Sequence, residues 1–115
     1  MWKTTFALTL SALVTDATSQ DVEFPDFGKV KHVCVQRWVG MQTTNAGTRF
    51  VAGYREAGRE FMTGQAAAGA AAAGVAVEGP VWMRGSARPF VRILGGTSGD
   101  TFTAWVYGYT SEESP

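Results

Sequence analysis

Arg88-Pro-Phe-Val-Arg-Ile-Leu94, Gly95-Gly-Thr-Ser-Gly-Asp100 and Thr101-Phe-Thr-Ala-Trp-Val-Tyr-Gly-Tyr109 form the stretch whose reading decides the fold. Both outer segments alternate in side-chain character with period two, and the link is built from Gly, Thr, Ser and Asp. That pattern predicts an antiparallel β-hairpin closed by a loop of about six residues. On the second arm Thr101, Thr103, Trp105, Tyr107 and Tyr109 share one face, and Phe102, Ala104, Val106 and Gly108 share the other. Neither face is plainly polar. The strand is therefore expected to be covered on both sides, by its own core and by something else.

Working outward, the rest of the chain reads as strands too. A first strand covers Lys3 to Leu10, and Thr15 to Asp21 is a turn by composition. Val22-Glu-Phe24 is a short strand broken by Pro25-Asp-Phe-Gly28. A long strand follows from Lys29 to Met41. Strict alternation there puts Val33, Val35 and Val39 on one face and Val30, Cys34 and Trp38 on the other. Asn45-Ala-Gly47 marks a turn, Thr48 to Tyr54 a strand, and Arg59 to Thr63 pairs with it across Arg55-Glu-Ala-Gly58. Val75-Ala-Val77 and Val81-Trp-Met83 are short strands. Strands this short between frequent turn signals predict an all-β antiparallel sandwich, jelly-roll-like, as one domain over residues 1–110 with an acidic tail over 111–115.

Gly64-Gln-Ala-Ala-Ala-Gly-Ala-Ala-Ala-Ala-Gly74 resists that pattern. Alanine favours helix, while Gly69 and Gly74 each cost a helix about 1 kcal/mol. Residues 64–74 are thus a short helix or a flexible loop. A longer helix from Gly53 through Ala73, burying Tyr54, Ala57 and Phe61, is the competing pattern.

Composition narrows the function classes. The 115 residues are 45% hydrophobic and 12% aromatic, enough for one domain with a core. Ten Lys and Arg balance ten Asp and Glu, so no basic footprint for nucleic acid exists. Charged residues make up 17%, below the roughly 25% usual for soluble domains, as expected of a surface hidden against partners. No run approaches the roughly 20 apolar residues of a membrane-spanning helix. The single cysteine, Cys34, excludes an internal disulfide and reads as a buried small residue. Met1 to Val14 passes a loose signal-peptide test, but Thr4, Thr5, Thr9 and Ser11 interrupt its apolar centre and its alternation suits a strand.

Residues for catalysis are scarce. His32 is the one histidine and forms no metal-ligand spacing with cysteines or carboxylates. No Gly-x-Ser-x-Gly elbow is present, and Gly95 to Gly99 lacks the Lys-Ser/Thr ending of a phosphate loop. No spaced oxygen-ligand motif supports calcium at Asp16, Asp21 or Asp100. The expectation is a non-enzymatic protein without cofactor or metal. Four Trp with three Tyr and several Arg match the composition of protein–protein contact surfaces. Arg92, Trp105, Tyr107 and Tyr109 are the candidate interface residues. Sugar stacking on exposed rings is the alternative use of the same side chains.

Two segments carry a family resemblance. Thr5-Phe-Ala-Leu-Thr-Leu-Ser-Ala12 with Asp21-Val-Glu-Phe-Pro25, and Phe90 through Gly108, resemble the opening and closing lines of small β-sandwich structural proteins of tailed bacteriophages, capsid decoration and accessory proteins among them. The resemblance implies a virion component assembled in the host cytoplasm in many copies, binding viral capsid or tail proteins and itself. It implies neither catalysis nor cofactor. The alternative is a secreted carbohydrate-binding or adhesion module with residues 1–20 as signal peptide.

Overall fold

The computed structural model describes residues 3–43, 49–67 and 74–112. Eight strands follow one another: β1 (Lys3–Leu13), β2 (Ser19–Glu23), β3 (His32–Gln42), β4 (Arg49–Glu56), β5 (Arg59–Ala67), β6 (Val75–Arg84), β7 (Arg88–Leu94) and β8 (Thr101–Ser111). They form two antiparallel four-stranded sheets, ordered β1-β8-β3-β6 and β2-β7-β4-β5. The pairs β1 with β8, β2 with β7, β3 with β6 and β4 with β5 are those of one long ribbon rolled onto itself, the connectivity of a jelly roll.

The expected closing hairpin does not form. β7 lies between β2 and β4 in one sheet, and β8 lies between β1 and β3 in the other. Gly95 to Asp100 is an arch across the sandwich, and its backbone bonds to the other arch, not to a partner arm. Gly99 N–H donates to the Val14 carbonyl, Val14 N–H to the Asp100 carbonyl, and Gly95 N–H to the Thr18 carbonyl. The alternation of the two arms is genuine. Their buried residues, Val91 and Ile93 on one and Phe102, Ala104 and Val106 on the other, face each other through the core. A period-two pattern states which face is apolar and is silent on whether two strands are neighbours or opposites.

β4 and β5 do form a hairpin, with Ala57 and Gly58 at its tip at φ of 51° and 76°. Two consecutive left-handed residues are what a type I′ turn requires. This pairing overturns the alternative helix from Gly53. It also extends β5 through Ala67, so Gly64–Ala67 are strand rather than the expected short helix or loop. Residues 68–73, the remainder of the Ala/Gly tract, lie outside the described residues, as does the expected turn at 45–47. No helix occurs among the described residues.

Four further expectations are corrected. The segment assigned to a turn from Thr15 to Asp21 contributes Ser19–Asp21 to β2, where they pair with Leu94, Ile93 and Arg92. Ser111 closes β8 and is buried, so the acidic tail does not begin there. In β3 the register shifts between Val35 and Arg37, leaving Gln36 as the extra residue of a bulge. The bulge reverses the alternation. Val33, Val35 and Trp38 therefore share the core face, and Val39 points outward where simple counting puts it inside. Opposite the bulge, the two expected short strands of β6 are one strand carrying a cis Gly79-Pro80 bond.

The core is sealed by contacts between the sheets. Phe50 of β4 stacks on Phe102 of β8, with centroids 5.4 Å apart. The Trp38 indole N–H donates to the Gly53 carbonyl at 3.1 Å, which satisfies a polar group that burial would otherwise penalise.

Candidate interaction surfaces

With the inner faces occupied, any recognition falls to the two outer faces and the strand edges. β8 is an interior strand of its sheet and carries Trp105, Tyr107 and Tyr109 outward, all half-buried. The register aligns them with Thr9, Ala7 and Thr5 of β1 on one side. On the other side stand Val39, Arg37 and Cys34 of β3. Trp82 joins from β6, next to Cys34, and meets Tyr109 edge to face at 5.6 Å. Cys34 is held beneath this pair and is 1% exposed. Its sulfur is hydrogen-bonded by the Tyr109 hydroxyl, which with burial raises the phenol above its ordinary range.

The central part of this face is a shallow cavity of about 500 Å³ lined by Gln36, Arg37, Val39, Glu78 and Tyr107. The bulge at Gln36 turns both Gln36 and Arg37 outward, and Arg37 pairs with Glu78 at 2.8 Å with both side chains more than half exposed. Three of the four expected interface residues thus share one surface. Trp82, Val39 and Arg37 complete it; Val39 and Arg37 face outward because of the bulge, which strict alternation does not reveal.

Arg92 does not belong there. It projects from β7 on the outer face of the other sheet, where it helps bury Phe90. Gly53 lies opposite Phe90 in the register, and a Cβ at Gly53 would stand 2.8 Å from the ring; its absence lets Phe90 lie flat on β4. The Arg55 and Arg92 guanidinium carbons cover that ring at 4.4 and 5.2 Å from its centroid. Phe90 is fully buried as a result, although it faces away from the core.

The two arginines are held in place by acids from both flanking strands. Arg92 bonds Asp21 at 2.7 Å and Glu60 at 2.9 Å. Arg55 bonds Asp21, Glu23 at 2.5 Å and Glu60 at 3.0 Å, and Arg88 reaches Glu23 at 3.5 Å. Burial pushes the Asp21 carboxyl up, but its bonds to Arg92 and Arg55 outweigh this and hold it below the ordinary carboxylate range. Glu60 shifts the same way through the same balance. The bond to Asp21 in turn raises Arg92 above an already high value. Nothing in the spacing of Asp21, Glu60 and Arg92 along the chain announces this cluster, because three different strand pairings assemble it.

Beside the cluster runs a groove of about 590 Å³ lined by Val51, Met62, Thr63, Gln65, Arg92 and Leu94. His32 stands at the start of β3, paired with Arg84 and Ser111. Among the described residues no set of three or more His, Cys, Asp or Glu is placed to hold a metal ion. No helix among them is long and apolar enough to cross a membrane. The chain matches no family model and no curated protein.

Proposed function

We propose that this protein is a non-enzymatic structural subunit of a virus particle, a decoration or accessory protein that binds capsid or tail proteins through the outer face of its β1-β8-β3-β6 sheet. The observation that carries the reading is the aromatic row Trp105, Tyr107, Tyr109 and Trp82, displayed on a flat outer face of a jelly roll whose inner face is already closed. Jelly rolls serve as viral capsid domains and also as lectins. Aromatic side chains with a few Arg are the residue types that anchor protein interfaces. Assembly in many copies converts modest individual contacts into lasting attachment.

The jelly-roll topology and the exposed rings also favour a second reading, a carbohydrate-binding module in which Trp105 and Tyr107 stack on sugars. Its secreted form, with residues 1–20 removed, would strip β1 from β8 along eleven paired residues and leave β8 as a bare edge. That loss counts against removal of residues 1–20.

The test is mass spectrometry of purified particles from cells expressing the gene, together with a Trp105→Ala/Tyr107→Ala double variant. The protein is expected in particles in many copies, and the double variant is expected to fold, by circular dichroism, yet stay in the supernatant. Absence of the unaltered protein from particles refutes the proposal. Binding to a glycan array that the double variant loses would establish the second reading.

A further inference from the structure

Each open-sheet sandwich has four strand edges, and three of these are blunted. β2 is five residues long and carries Asp21 and Glu23. β5 carries Arg59 and Glu60, is interrupted by a bulge at its pairing with Ala52 and Gly53, and packs against β6 where Gly64 meets Val77. β6 carries Glu78, Pro80 and Arg84. Short length, charge, proline and bulges are the devices by which natural sheets prevent edge pairing.

Beyond Lys3 at its first position, β1 has none of them. From Thr4 to Leu13 it contains no charge, no proline and no glycine, and its eleven pairs with β8 run without a register shift. Among the described residues, two of the four large apolar side chains that stand exposed, Leu10 at 37% and Leu13 at 58%, lie on it. Among the described residues no strand pairs with its outer side.

We propose that β1 pairs antiparallel with β1 of a second copy about a two-fold axis through Thr9. This rests on the reading of the protein as a multi-copy subunit and names the surface by which copies meet. In that register Thr9 faces Thr9, Leu8 faces Leu10, Phe6 faces Ala12, Ala7 faces Ser11 and Thr5 faces Leu13. Core-facing residues meet core-facing residues throughout, since a residue-centred two-fold preserves the alternation. The uncharged segment from Thr4 to Leu13 meets its own copy without repulsion, which a charged edge such as β2 does not. Leu10 comes under Leu8 of the second copy, and the edge gains about ten backbone hydrogen bonds. The product is a continuous eight-stranded sheet that presents two aromatic faces on the same side, doubling the surface proposed above for attachment.

Sedimentation velocity on the full chain tests this. The unaltered protein is expected to dimerise. Thr9 is exposed, so Thr9→Lys and Thr9→Glu are each expected to fold normally, with dimerisation weakened about fivefold by like charges placed face to face. An equimolar mixture of the two is expected to recover the dimer. Hydrogen exchange on the unaltered protein supplies a variant-free readout, with amides of residues 4–13 gaining protection as concentration rises. A monomer at all concentrations, a dimer indifferent to both substitutions, or a mixture that fails to recover overturns the inference. Particles that still incorporate Thr9→Lys at full copy number would overturn the β1 contact while leaving the attachment role intact.

Discussion

Replacing Arg55 by Met removes the centre of the ion cluster on the outer face of the β2-β7-β4-β5 sheet while keeping an apolar stem over Phe90. Arg55 holds Asp21, Glu23 and Glu60, and its side chain is 30% exposed. Fully buried charge-assisted bonds contribute roughly 1.5–3 kcal/mol each, and exposed pairs only about 0–1. This site lies between those limits, and Arg92 and Arg88 remain to share the acids. The expected loss is about 2–3 kcal/mol at neutral pH. For a domain of this size that corresponds to a fall in Tm of about 8–12 °C.

The loss should depend on pH, with a definite sign. Asp21 and Glu60 are held below their ordinary range in the folded protein, so the folded state binds their protons less readily than the unfolded chain. Their contribution is complete above the ordinary carboxylate range, about pH 4, and vanishes as pH falls through the lower folded values. The unaltered protein therefore loses more stability on acidification than Arg55→Met, and the gap between them closes. Guanidinium unfolding at a series of pH values from 7 to 2 reads this directly. A gap that stays constant over that range, or that is below about 0.5 kcal/mol at pH 7, would show that Arg55 acts through packing alone.

Other consequences of the structure are open to simpler measurement. Trp38→Phe deletes the indole donor to the buried Gly53 carbonyl and part of the core volume, and denaturant unfolding should show a loss of about 2–3 kcal/mol. Gly53→Ala drives a methyl into the Phe90 ring and the Phe61 carbonyl, so unfolding should show a cost of about 1–3 kcal/mol. Trp82→Ala uncovers Cys34, whose reaction with a thiol reagent should go from slow in the folded protein to rapid; equal rates would mean that Trp82 does not shield it.

Much of the class of this protein was legible along the chain, because alternation and turn chemistry are local. The strands around Phe6, Val33, Phe50, Phe90 and Val106 all announce themselves with period two, and Arg55-Glu-Ala-Gly58 marks the one hairpin expected and found there. Trp105, Tyr107 and Tyr109 could be assigned a common face for the same reason. The bulge at Gln36 was not legible, since it exists only in the pairing of β3 with β8 and β6, and without it Trp38 and Val39 exchange sides.

The amino-acid order alone determined that the chain builds sheets and which side chains of each strand travel together. Only the tertiary structure decided which strands are neighbours. Burying two apolar faces against each other sends β7 and β8 into opposite sheets, and that separation puts Arg92 with Asp21 and Glu60 instead of with the aromatic row. Side-chain alternation is a property of successive backbone torsions, whereas strand pairing is settled by the free energy of closing one shared core, to which residues far apart in the chain contribute together.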